Sequence, residues 1–177
     1  MKVVLTFLLL AYSLFIACKP NRQGDDKQVG LTEGQLDKHL VDVNKIITDN
    51  ESEDIRNYIR RYNLKMTETG TGLRYIIYKK GNGIAPMQRS KVKIAFLLKL
   101  LDGTTVYEYN STQPLIIEMA QAQSNNGLEE ALYLMHEGDK AKIIIPSHLG
   151  YGLVGDGDKI PRKAVLVYDV ELLSVQN

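Results

Sequence analysis

The sequence predicts an α+β fold: a curled antiparallel sheet of five or six strands wrapping one short helix, with an amino-terminal helical extension. Three observations predict it. Beyond Thr67 the chain divides into short runs of β-branched and aromatic residues separated by glycine-rich turns. One segment in that region, beginning at Asn126, switches to helical spacing, with Leu128, Ala131, Leu132 and Met135 at i, i+3, i+4 and i+7. Between Thr32 and Tyr62 two apolar stripes recur at helical spacing, one ending at Ile47 and one beginning at Ile55.

The amino end has its own chemistry. Lys2 supplies a positive start, and Val3 to Ala17 is almost wholly apolar but short for a membrane span. The run ends on Cys18, the single cysteine among 177 residues. A small residue before such a cysteine resembles the bacterial lipobox. That resemblance implies residues 1–17 as a lipoprotein signal peptide and lipidation of Cys18 on its sulfur and new amino group, which anchors the chain stably in a membrane. The other reading is an ordinary secretory signal cleaved elsewhere, leaving a spare thiol. One cysteine excludes an internal disulfide. Residues 18–31 are polar with Pro and Gly and are expected to form a flexible tether.

Residues 32–66 form the helical extension. Leu36, Leu40, Val43 and Ile47 share one face of a first helix; Asn50 and Glu53 then suggest a capping box for a second, striped by Ile55, Tyr58, Ile59 and Tyr62. The stripes pack on each other and on the domain, or they form a dimer through residues 32–63. Neither is long enough for a coiled coil.

Residues 67–177 hold the main domain. Strands are expected over Leu73–Lys80, Lys91–Leu101, Thr104–Tyr109, Pro114–Met119, Lys140–Pro146 and Lys163–Val175. The second alternates Val92, Ile94, Phe96, Leu98 and Leu100 against lysines, and Asp102-Gly103 signals the hairpin that follows it. Glu137-Gly138-Asp139 closes the helix.

Charge is nearly balanced at a formal +1, so nothing suggests a nucleic-acid footprint. His39, His136 and His148 are dispersed, which gives no metal-ligand cluster. Asp156-Gly157-Asp158 resembles half of a calcium loop without the remaining ligands, and is expected to be a flexible loop.

From Leu73 to Val175 an ordered set of motifs resembles the FK506-binding-protein (FKBP) type of peptidyl-prolyl isomerase. The set comprises Asp102-Gly103, Gly127-Leu128-Glu129-Glu130-Ala131, Glu137-Gly138-Asp139-Lys140-Ala141, Ile145-Pro146, Leu149-Gly150-Tyr151-Gly152, Ile160-Pro161 and Val167-Tyr168-Asp169-Val170-Glu171-Leu172-Leu173. With the lipobox and paired helices, the chain further resembles FKBP-like lipoproteins associated with gliding motility. The resemblance implies cis-trans isomerisation of Xaa-Pro bonds in exported, proline-containing polypeptides, with no cofactor. It implies a prolyl pocket between helix and sheet, with Tyr151 as hydroxyl donor, Phe96 and Tyr168 as aromatic walls and Leu128 as floor. Val106, Tyr107, Leu115, Ser124, Asn125 and Ile160 complete the implied lining, Asn125 through its backbone amide. Location in the cell envelope follows, and Lys19 after the cysteine points to the outer membrane, facing the periplasm.

Several positions depart from the family. Val106-Tyr107 stands where a Phe-Asp pair is usual, so the pocket carboxylate is lost from that strand. Leu128 replaces an aromatic floor, Ser124-Asn125 a more apolar pair, Leu115 a common aromatic and Phe96 a tyrosine. Loss of both the carboxylate and the Phe96 hydroxyl is one linked change, because neither then lacks its partner. A prolyl isomerase and a non-catalytic binding or chaperone module therefore both remain open.

Overall fold

The computed structural model describes residues 33–121 and 126–177. Cys18, the expected tether and the expected pocket residues Ser124 and Asn125 lie outside the described residues, as do the side chains of Leu36, Leu40, Val43 and Ile47. Residues Asp42–Asn177 form one compact unit; in the other, Met1–Val41, the described part is helical.

Helix α1 spans Glu33–Arg61. The helix break expected at Asn50 is absent, because the chain stays helical through residues 49–53. No Gly or Pro interrupts residues 35–61. Asn, Asp and Ser cost only tenths of a kcal/mol each inside a helix, roughly. Breaking the helix would instead leave several backbone groups to be satisfied anew. The Ile55 stripe packs on the domain: Ile55 is fully buried with Ile144, Val165 and Val167, and Tyr58 and Ile59 lie against them. Tyr62 stays more than half exposed and packs its ring 4.6 Å from that of Tyr58.

Among the described residues seven strands follow, all paired antiparallel: β1 (Thr67–Glu68), β2 (Arg74–Lys79), β3 (Lys91–Leu100), β4 (Thr105–Tyr109), β5 (Leu115–Glu118), β6 (Lys140–Ile145) and β7 (Leu166–Gln176). The six strands expected are present, and the two-residue β1 is added at one edge. The order is β1-β2-β6-β7-β3-β4, with β5 also on β3. Strand β3 is long enough to pair with β7 along its whole length while its two halves take β5 and β4 on the other side.

Helix α2 (Asn126–Tyr133) lies on the inner face through Gly127, Leu128, Ala131 and Leu132. Val92, Ile94, Phe96 and Leu98 alternate inward as expected, and so do Leu166, Tyr168, Val170 and Leu172. Ile143-Ile144-Ile145 is unbroken apolar for a different reason. Ile143 and Ile145 face the α2 core, whereas Ile144 faces α1, so this part of the sheet is covered on both sides. Gly127 makes the helix–sheet approach: a Cβ there would stand 2.4 Å from Ile145 Cγ2 and 3.1 Å from Leu149 Cβ.

Candidate active site

A cavity of about 450 Å³ opens between α2, β3, β4, β5 and the loop after β6. Six residues singled out from the sequence line it: Phe96, Tyr107, Leu115, Leu128, Tyr151 and Tyr168. Phe96 and Tyr168, neighbours across β3 and β7, meet edge to face with ring centroids 5.2 Å apart. Leu128 is 5 % exposed on the inward face of α2, where a leucine leaves more room than an aromatic ring.

Val106 and Ile160 are buried in the core but do not line the cavity. Val106 alternates with Tyr107 along β4, so only one of the pair can face the cleft. Ile160 acts through its backbone, as described below. Ser124 and Asn125 fall in the undescribed segment that leads into α2.

Tyr109 also lines the cleft, its ring 5.1 Å from that of Phe96. Its signal was available: two residues beyond Tyr107 on one strand, it shares that residue's face. Leu98, Ile116 and Ile117 add apolar lining, and Glu118, Gln121, Glu129 and Asp156 add polar groups. Glu129 Oε1 accepts a hydrogen bond from the Ala120 amide at 2.5 Å, which fixes where β5 leaves the sheet. Ala120 sits there at φ 64, a left-handed conformation uncommon for a residue with a Cβ.

The 151–160 loop is pinned rather than loose. Asp156 Oδ1 accepts from the amides of Asp158 at 2.9 Å and Ile160 at 2.7 Å, while its own amide donates to the Ile160 carbonyl. Asp156 Oδ2 accepts from the Tyr107 hydroxyl at 2.5 Å. Lys159 Nζ lies 5.1 Å from the centre of the Tyr107 ring, adding a cation over its face. The expected flexible loop is thus cross-linked to β4. The carboxylate that β4 lacks enters the cleft from Asp156, and the strand supplies the hydroxyl instead.

These contacts set the local acidities. Burial pushes the Asp156 carboxyl up, but hydrogen bonds from Tyr107 and the amides of Asp158 and Ile160 outweigh it and hold the group below the usual range. Tyr107 is raised, first by its hydrogen bond to Asp156 and then by partial burial. Tyr151, half-buried, is raised by burial and secondarily by the nearby charges of Asp156 and Tyr109. Its phenol is therefore a neutral donor across the physiological range, which is the form a carbonyl acceptor requires.

The arrangement offers an apolar, aromatic-walled recess beside a tyrosine hydroxyl. Comparison with known proteins gives the same direction. Residues 83–173 match the family described as FKBP-type peptidyl-prolyl cis-trans isomerase. The chain is 34 % identical over 159 residues to the FKBP-type peptidyl-prolyl cis-trans isomerase FkpA of Aeromonas hydrophila, covering 88 % of this chain and 55 % of that one. It is 43 % identical over 82 residues to human peptidyl-prolyl cis-trans isomerase FKBP2, covering 44 % of this chain and 56 % of the relative. It thus spans about half the length of either relative. The crystal structure of FkpA from Escherichia coli superposes with a TM-score of 0.63 at 27 % identity, covering 83 % of this chain and 74 % of that one.

Proposed function

This chain belongs to the FKBP-type peptidyl-prolyl cis-trans isomerase family, and on that premise we propose that it accelerates cis-trans interconversion of Xaa-Pro bonds in polypeptides. One observation carries the reading: the cleft between α2 and the sheet joins apolar walls, Phe96 and Tyr168, to a hydroxyl donor, Tyr151.

The chemistry asks for no more than this. Amide resonance sets a rotation barrier of about 18–20 kcal/mol. Twisting the bond removes that resonance and lowers the carbonyl dipole, so an apolar recess disfavours the planar state more than the twisted one. The proline ring enters against Leu128 between Phe96 and Tyr168. Tyr151 donates to a flanking carbonyl and holds the chain in the turn that the twisted state requires. Rotation breaks no covalent bond, so no nucleophile or cofactor enters. Acceleration of this rotation in short Xaa-Pro peptides, by protein beginning after Cys18, is the test.

The setting belongs to the same proposal. Lipidation at Cys18 anchors the chain in the bacterial envelope, at the outer membrane facing the periplasm, where exported polypeptides fold. Residues 67–177 act as the isomerase domain, 18–31 as tether and 32–66 as arm. Labelling by a radioactive fatty acid that is lost in Cys18→Ser checks the anchor. Dimerisation through residues 32–63 is checked by the solution mass of the lipid-free chain with and without that arm.

A second reading has its own support. Leu153 and Val154, between the lining residues Tyr151 and Asp156, are 64 % and 77 % exposed, and Ile116 at the mouth is 60 % exposed. Such a rim suits holding unfolded chains without catalysis, as a chaperone module in an envelope or gliding-motility assembly would. Suppression of client aggregation without peptide isomerisation distinguishes it.

A further inference from the structure

The segment that carries Tyr151 is held from behind, by the helical arm. Ser147 opens a short 3-10 turn (Ser147–Leu149) directly after β6, and only 8 % of it is exposed. Its amide and its hydroxyl both donate to the carboxylate of Glu51 on α1, at 2.7 and 2.5 Å. Its carbonyl accepts from the amides of Gly150 at 3.1 Å and Gly152 at 2.8 Å, the two residues flanking Tyr151. The Ser147 peptide therefore joins α1 on one side to the base of the Tyr151 turn on the other.

This junction matters because of what surrounds Tyr151. Two flanking glycines give the turn more conformational freedom than any other residues would, and Gly152 adopts φ +58. Between two glycines the Tyr151 backbone needs hydrogen bonds such as these to remove that freedom, while its ring packs against the core. Charge-assisted acceptors such as Glu51 make the stronger bonds of this kind. None of these contacts reaches into the cleft, and Glu51 is absent from its lining.

We propose that Glu51 is a positioning residue for the Tyr151 hydroxyl, acting through Ser147, so that the arm forms part of the catalytic apparatus. The proposal rests on the isomerase reading and deepens it. A purely structural Glu51 would fasten α1 to the domain and affect stability alone. A positioning Glu51 affects turnover through the Tyr151 hydroxyl, so its effect depends on that hydroxyl being present.

The test is a double-mutant cycle on the full folded domain with its arm, comparing Glu51→Ala, Tyr151→Phe and the pair. Glu51→Ala should lower kcat/KM for an Xaa-Pro peptide by about fivefold to twentyfold, the scale of losing aim at a reacting group. In the Tyr151→Phe background the same change should cost less than about twofold, because the hydroxyl it aims is gone. Glu51→Gln, which keeps one acceptor oxygen, should restore part of the activity, and Ser147→Ala provides a milder cut at the same junction if Glu51→Ala fails to fold. Equal losses in both backgrounds would overturn the proposal. Amide exchange at Gly150 and Gly152, measured without substrate, separates the two readings: it should speed up in Glu51→Ala even if the wild type proves inactive. Unchanged exchange there overturns the positioning role whatever the activity.

Discussion

The Tyr107 hydroxyl donates to the Asp156 carboxylate across 2.5 Å, tying β4 to the loop that also carries Tyr151. Strand β4 lacks the carboxylate that the family motif leads one to expect, and the opposite loop returns it to the cleft. Asp156 has two further amides on its other oxygen, so removing one donor should loosen the loop without unfolding it. Tyr107→Phe should speed amide exchange at Ile160 and Gly155 several-fold while the thermal midpoint moves by only a few degrees, roughly, as for other partly exposed contacts. Exchange equal to that of the wild type would show that the backbone amides alone hold the loop.

The same pair predicts a pH response. Asp156 is held below the ordinary carboxyl range in the folded chain. A carboxyl lowered by folding favours the folded state at pH above its unfolded value of about 3.9, and that contribution is lost as pH falls through the folded value. The latch therefore persists through neutral and mildly acidic solution. It also survives at alkaline pH, since Tyr107 is raised above its ordinary value. The Ile160 amide resonance should titrate with a midpoint below about 3.9, and this step should vanish in Asp156→Asn. A midpoint at or above the ordinary value would contradict the arrangement.

Helix α2 owes its depth to Gly127. A Cβ at that position would collide with Ile145, which is fully buried and has no free direction in which to move. Gly127→Ala should lower stability by about 1–3 kcal/mol through overpacking, despite alanine's better helix propensity. Urea unfolding gives the value directly, and a midpoint equal to or above that of the wild type would mean that α2 can ride further from the sheet at no cost.

Strand alternation made much of this legible. Val92, Ile94, Phe96 and Leu98 declared the inner face of β3, and the spacing of Leu128, Ala131 and Leu132 declared the buried side of α2. Those signals are local, set by periods of 2 and 3.6 residues. What remained hidden depends on long-range pairing. Tyr107 and Asp156 are far apart in sequence, and nothing around an Asp-Gly-Asp turn says which hydroxyl it meets. Glu51 and Ser147 are further apart still. The continuity of α1 is illegible for another reason: Asn50 and Glu53 satisfy a capping pattern equally well at a helix start or within a helix. Tyr109 is legible from the sequence, since the period of β4 places it on the same face as Tyr107.

Whether the cleft catalyses proline isomerisation is read from exchange rates in small peptides. Protein beginning after Cys18 is mixed with short Xaa-Pro peptides of varied Xaa, and the cis-to-trans relaxation is followed by exchange NMR. Relaxation should accelerate in proportion to protein concentration, most where Xaa is hydrophobic, and less when Tyr151 is replaced by Phe. No acceleration for any Xaa, from protein that still prevents aggregation of an unfolded client, would contradict catalysis and leave the cleft a binding site.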